Sequence, residues 1–304
     1  MARSLLTKEL ADSELSGMIA NKMARLHALN VPISKEPSWM WNTMEKWLKS
    51  GQEYLSKKPK IDGVPENVIE RIEKFNFRKE LDFLKKVVSK IQSPVVFSHN
   101  DMQEGNILLN NQAKTPEDRV SLIDFEYCSY NYRGFDIANH FCEWVYEYKL
   151  PVHPYYTVER ENYPERDKQL HFIRSYLESY ESSKRRRGIL SPNGNLPEET
   201  NVQGSILGNG HVYHSNNSSG ISGVLHSPAS HPAEEKILSE VQIFNLAAHL
   251  LWSLWSIVQA QVSTIPFGYM EYAALRLDHY MEDKAKLRVD YLTKRKSEAV
   301  TIDS

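Results

Sequence analysis

The sequence predicts an α+β fold, a mainly helical body around one small block of β-hairpins. Three observations carry this. Apolar residues recur at helical spacing over most of the chain; between Pro94 and Asp124 they form short runs instead; and no internal repeat is visible. With 304 residues, 41% hydrophobic and 11% aromatic, the chain can bury one good core and carry a flexible insertion besides. Lys and Arg number 37 against 39 Asp and Glu, a net charge of −2, so no bias toward nucleic acid or an anionic membrane is expected. Two cysteines, Cys128 and Cys142, exclude a disulfide framework or a zinc-ligand cluster. No secretory leader and no run of 18 apolar residues is found, so a soluble, cytoplasmic protein without a membrane span is expected.

Ser13 is positioned to cap a first helix on which Leu15, Met18, Ile19, Met23 and Leu26 form one face. A second helix is expected from Trp39 to about Leu48. Further helices fill Val64 to Ile91, where Leu81, Leu84, Val88 and Ile91 make a stripe. Pro94-Val95-Val96-Phe97, Ile107-Leu108-Leu109 and Val120-Ser121-Leu122-Ile123 read as short strands. Asp136 to Tyr148 is expected to be an aromatic-rich helix, and Gln169 to Tyr180 another. The basic run Lys184 to Arg187 reads as a solvated helix end.

From Gly188 to about Ala233, Gly, Ser, Asn, Pro and His dominate, and burial there cannot offset the entropy of ordering. A disordered insertion is expected, dividing the chain into 1–183, 184–234 and 235–304. Its histidines, His211, His214, His226 and His231, have no metal-site spacing. A long helix then carries Ile237, Val241, Phe244, Ala248, Leu251, Trp252 and Trp255 at helical spacing, and a last one runs from Tyr269 toward Arg295.

The chemistry is concentrated in the strand block. Asp101 is followed five residues later by Asn106, and a second Asp, Asp124, precedes Phe125. That is the pattern of kinase-type phosphoryl transfer, in which the first Asp orients and deprotonates a hydroxyl while the Asn and second Asp hold Mg²⁺ on ATP. Gln103 is expected to line this site and His99 to hold its loop. On pattern alone, the aromatic pairs Trp252/Trp255 and Tyr269/Tyr272 read as core packing. Cys142, on an apolar face, reads as a packing residue.

Several stretches together resemble the choline kinases. They are Pro94 to Asn106, Ile123 to Tyr127, Asn131 to Ile137, His140 to Trp144, Leu251 to Ala260 and Phe267 to Tyr272. The resemblance implies a protein-kinase-like fold of the aminoglycoside-phosphotransferase type, of which this chain carries mostly the helical C-terminal lobe. It also implies ATP- and Mg²⁺-dependent phosphorylation of choline, the entry step to phosphatidylcholine, with ethanolamine as the rival amine. In such a site Tyr127, Tyr148, Trp252, Trp255, Phe267, Tyr269 and Tyr272 form a cage for the trimethylammonium, with Glu143 supplying negative charge. By the same resemblance Asp136 braces the catalytic loop and Arg133 shares that role. Family members carry an N-terminal lobe with a Gly-rich phosphate loop and a Lys, and no such loop precedes Pro94 here. That leaves a non-catalytic choline-binding module as a reading from another class, with a homodimer or pairing with a full-length subunit as the expected assembly.

Overall fold

In the computed structural model the described residues are 2–59, 61, 63–148, 150–188 and 230–302, with side chains described as far as 287. The stretch expected to be disordered lies mostly outside them. A two-residue strand β1 (Arg3–Ser4) leads into helix α1 (Ser13–His27), α2 (Ser38–Ser56), α3 (Glu66–Lys74) and α4 (Phe77–Val88). Strands β2 (Val95–Ser98), β3 (Ile107–Leu109), β4 (Val120–Leu122) and β5 (Ser129–Tyr132) follow. Then come α5 (Arg133–Glu143), β6 (Tyr146–Tyr148), β7 (Tyr156–Val158), α6 (Arg166–Arg186), α7 (Pro232–Val262) and α8 (Tyr269–Ile302).

The expected strand block exists, but as two small antiparallel sheets. β3 sits between β1 and β4, with Leu109 opposite Arg3 and Ile107 opposite Leu122. β2 pairs with β5, from Val95 opposite Tyr132 to Ser98 opposite Ser129. β1 was not expected, because a two-residue strand has no period of its own and exists only through its partner.

Helix α7 forms the centre of the body, packed against α8, α5 and α2. It is long and apolar enough to cross a membrane, yet 83% of its most apolar stretch is buried among the other helices. Its contact with α5 needs Gly134, where a Cβ would lie 2.5 Å from the Phe244 ring and 2.8 Å from Glu240 Cβ. Arg133 joins the same contact: its guanidinium donates to Glu240 at 2.5 and 3.1 Å. It therefore fastens α5 to α7, and among the described residues its side-chain hydrogen bonds go to Glu240 rather than to the loop it was expected to brace.

Several helix boundaries also differ from expectation, and α2 runs on past Leu48 to Ser56. Asp12, not Ser13, caps α1, its carboxylate accepting the Leu15 N–H at 2.9 Å. α6 is longer than expected and ends at Arg186, and Lys184 lies over the Tyr180 ring at 4.6 Å. The helix expected from Asp136 to Tyr148 begins at Arg133 and stops at Glu143. Beyond it Tyr146 is buried, Glu147 exposed and Tyr148 half-buried, the period-two pattern of a strand, and this strand pairs with β7.

Candidate active site

The loop that carries Asp101 leaves β2 through Asn100, whose φ of 69° lies in the left-handed region that Asn tolerates better than most residues. The loop is held from both sides by α5. Asp136, fully buried, accepts the His99 N–H at 2.9 Å and the Asn100 N–H at 2.8 Å, and its Oδ2 lies 2.8 Å from His27 Nε2. His27 in turn meets the Tyr176 hydroxyl at 2.9 Å. Burial works to raise the Asp136 carboxyl, but the hydrogen bonds from His27 and the His99 backbone outweigh it and hold the group below the usual range. On the other side His140 Nδ1 contacts the Met102 carbonyl at 2.9 Å.

Asp101 is oriented within this loop. Asn106 donates from its amide nitrogen to the Asp101 carbonyl at 3.0 Å and to the Asp101 carboxylate at 2.9 Å. The Asn106 amide oxygen is thereby left as an acceptor. Burial, with Glu143, Asp124 and Glu126 nearby, pushes the Asp101 carboxyl up to about 8. A divalent cation at this site would oppose the like-charge part of that shift.

The β3–β4 register brings Asp124 to Asn106. The Ile123 N–H donates to the Asn106 carbonyl at 3.0 Å, so Asp124 lies one residue past the point opposite Asn106. Asp124 is exposed, sits at φ 62°, and makes no ion pair among the described residues. One amide oxygen and one carboxylate, both hard, fit Mg²⁺, which takes few protein ligands and fills its shell with water and phosphate. Among the described residues no group of three His, Cys, Asp or Glu is arranged for a metal, so the site does not resemble a zinc centre. His99 Nε2 lies 3.0 Å from the Ile123 carbonyl, tying the first motif to the second.

Asp101 opens onto a cavity of about 490 Å³ whose walls include every residue expected in the cage. Gln103, Tyr127, Glu143, Tyr148, Trp252, Trp255, Phe267, Tyr269 and Tyr272 all line it. The rings meet mostly edge to face, as their quadrupoles favour: Trp252 on Trp255 at 5.6 Å, Tyr127 on Trp252 at 6.0 Å, Trp255 on Tyr269 at 5.9 Å. The indole N–H of Trp252 donates to Asn139 Oδ1 at 2.6 Å, which fixes the ring's orientation. Gln103 also folds back on its own loop, accepting the Gly105 N–H at 2.7 Å.

Reading the sequence missed the group beneath the cage. Arg276, fully buried on α8, is ion-paired with Glu143 and lies over the rings of Tyr146 at 4.0 Å and Tyr272 at 5.0 Å. Its only signal was a lone Arg among the apolar residues of the last helix. His27 was missed for the same reason, since its partner Asp136 is over a hundred residues away. Cys142 is buried as expected, and burial pushes its thiol up.

The profile of the choline/ethanolamine kinase family matches residues 1–281 of the chain. The chain belongs to the choline/ethanolamine kinase family. A protein of Mus musculus named choline/ethanolamine kinase is 39% identical over 286 residues, 94% of this chain and 61% of its own length. The Homo sapiens protein of the same name is 40% identical, over 94% of this chain and 60% of its own. The chain thus spans about three fifths of the length of these relatives. Solved structures share the fold at lower identity. A choline kinase of Cryptosporidium parvum superposes with a TM-score of 0.67 at 22% identity, over 95% of this chain and 70% of its own. An ethanolamine kinase of Plasmodium vivax gives 0.64 at 20%, over 94% and 64%. The fold is therefore the protein-kinase-like fold of this family, mostly helical with small sheets.

Proposed function

We propose that this chain carries the amine-binding and catalytic-loop part of a choline kinase, which transfers the γ-phosphoryl group of ATP to the choline hydroxyl. The observation that carries this is the single cavity shared by Asp101 and the aromatic cage. A trimethylammonium donates no hydrogen bond, so it is held by π-faces and a negative field rather than by directed acceptors. Trp252, Trp255, Tyr127, Phe267, Tyr269 and Tyr272 supply the faces; Glu126 and Asp101 supply charge. Choline seated there directs its hydroxyl at Asp101, whose carboxylate orients it and accepts its proton as the oxygen attacks. Holding the hydroxyl at one distance and angle is the larger part of the effect. Asn106 and Asp124 are the residues that would hold Mg²⁺, which when bound neutralises charge on the nucleotide phosphates.

The test has two readings. Tryptophan fluorescence of the purified chain should report saturable choline binding that persists in Asp101→Asn. Phosphocholine formation with Mg²⁺ and ATP, followed by ³¹P NMR, should be abolished by the same substitution. A chain that does not bind choline at tens of millimolar, or an Asp101→Asn variant that still turns over, would overturn the assignment.

A further inference from the structure

Beneath the cage lies a closed ring of hydrogen bonds in which every proton has only one place to go. The Tyr148 hydroxyl is 2.7 Å from Glu143 Oε2 and 2.7 Å from the Tyr272 hydroxyl. The Arg276 Nε and Nη2 groups lie 2.9 and 2.5 Å from the Tyr272 hydroxyl, and Nη2 also donates to Glu143 Oε1. A guanidinium only donates and a carboxylate only accepts. Arg276 therefore donates to the Tyr272 oxygen, Tyr272 to the Tyr148 oxygen, and Tyr148 to Glu143. Glu143, Tyr148 and Tyr272 line the substrate cavity; Arg276 is buried behind them.

Two consequences follow for a cation in the cavity. The charge of Glu143 is offset by a guanidinium in contact with it, so this wall attracts a cation far less than a lone carboxylate does. Both Glu143 oxygens and both phenol oxygens are also already engaged. A primary ammonium brings three N–H donors that must find acceptors when it leaves water, whereas a trimethylammonium brings none. At this wall the ring leaves the π-faces as the main attraction and penalises each N–H turned toward it that a methyl group does not replace.

We propose that the Glu143–Tyr148–Tyr272–Arg276 ring sets the amine preference of this cavity, selecting quaternary over primary ammonium by neutralising its carboxylate and committing its polar groups to one another. This rests on the amine-binding reading of the cavity given above. Tyr148 is the member through which it can be opened without stranding a charge: its hydroxyl can be removed while Arg276 still pairs with Glu143.

The experiment titrates ethanolamine, its N-methyl and N,N-dimethyl forms and choline into the chain, following the fluorescence of Trp252 and Trp255. In the unmodified chain, affinity should rise with each methyl, by at least about tenfold across the series, the scale of one unmade hydrogen bond to a charged group. In Tyr148→Phe, which frees Glu143 Oε2, that span should shrink to about threefold or less, chiefly through tighter ethanolamine binding. Arg276→Lys, which keeps the charge but breaks the fork to Tyr272 and Glu143, should narrow it likewise if its thermal melt shows it folded.

An unchanged or wider span in Tyr148→Phe overturns the proposal. So does an equal loss for all four amines, the signature of a merely structural ring, or a preference of the unmodified chain for ethanolamine. Failure of every amine to bind the unmodified chain would instead overturn the reading of the cavity itself.

Discussion

Replacing Asp136 with Asn tests the bracing of the Asp101 loop with the exchange of one heavy atom. The carboxylate accepts two backbone N–H groups and contacts His27, all without access to water. An Asn can keep one acceptor oxygen, on the Asn100 N–H. Its NH₂ then faces the His99 N–H and His27. His27 can adjust by moving its proton to Nδ1, since the Tyr176 hydroxyl opposite can accept as well as donate. The His99 N–H cannot adjust. Loss of one charge-assisted hydrogen bond, about 1.5–3 kcal/mol, and one stranded buried donor, about 1–3 kcal/mol, give a cost of about 2.5–6 kcal/mol. Against a total stability of about 5–15 kcal/mol this is large but survivable. Urea unfolding should show the midpoint drop, and hydrogen exchange should show the His99 and Asn100 amides losing protection before the rest of the core. A loss under about 1 kcal/mol, with both amides still protected, would refute the reasoning that the carboxylate holds the loop.

Trp252→Ala and Trp255→Ala should each weaken choline binding about five- to thirtyfold, the range of a desolvated cation–π contact of about 1–2 kcal/mol; calorimetric titration giving unchanged affinity in both would remove them from the cage. Gly134→Ala should destabilise the fold by about 1–3 kcal/mol, because its methyl meets the Phe244 ring and Glu240 Cβ, and a melting temperature equal to the parent's would contradict that. His140 and His249 are each held down to about 4 chiefly by burial. Below the ordinary histidine value of about 6.5 the unfolded chain takes up protons that the folded one refuses, so stability falls by about 1.4 kcal/mol per pH unit per residue from pH 6.5 toward 4. Denaturant titrations at pH 7.5 and 5 should show this loss, and it should lessen in His140→Gln.

The helices were legible where an apolar stripe faces one large core, as on α1 and α7. The segment after Glu143 was misread because Trp144, Tyr146 and Tyr148 suit a helix as well as a strand, and only the β7 partner decides between them. Arg133 was expected to share the bracing role by resemblance, whereas its guanidinium reaches Glu240 on α7, a partner more than a hundred residues away that the local sequence does not name. Chemistry confined to a few neighbouring residues survives in a sequence: Asp101, Asn106 and Asp124 are spaced by the loop and hairpin that carry them. The cage was read from its resemblance to a family and not from its spacing, which is also that of ordinary core packing.

The sequence by itself determined the phosphoryl-transfer pattern, the helical body around a strand block and the family to which both belong. The tertiary structure alone decided what stands behind those motifs: Arg276 under Glu143, and His27 behind Asp136. A buried charge needs a partner, but nothing in the chain's local order says which distant residue that partner is. The partner is chosen when the helices pack, and at Glu143 that choice sets a guanidinium against the carboxylate.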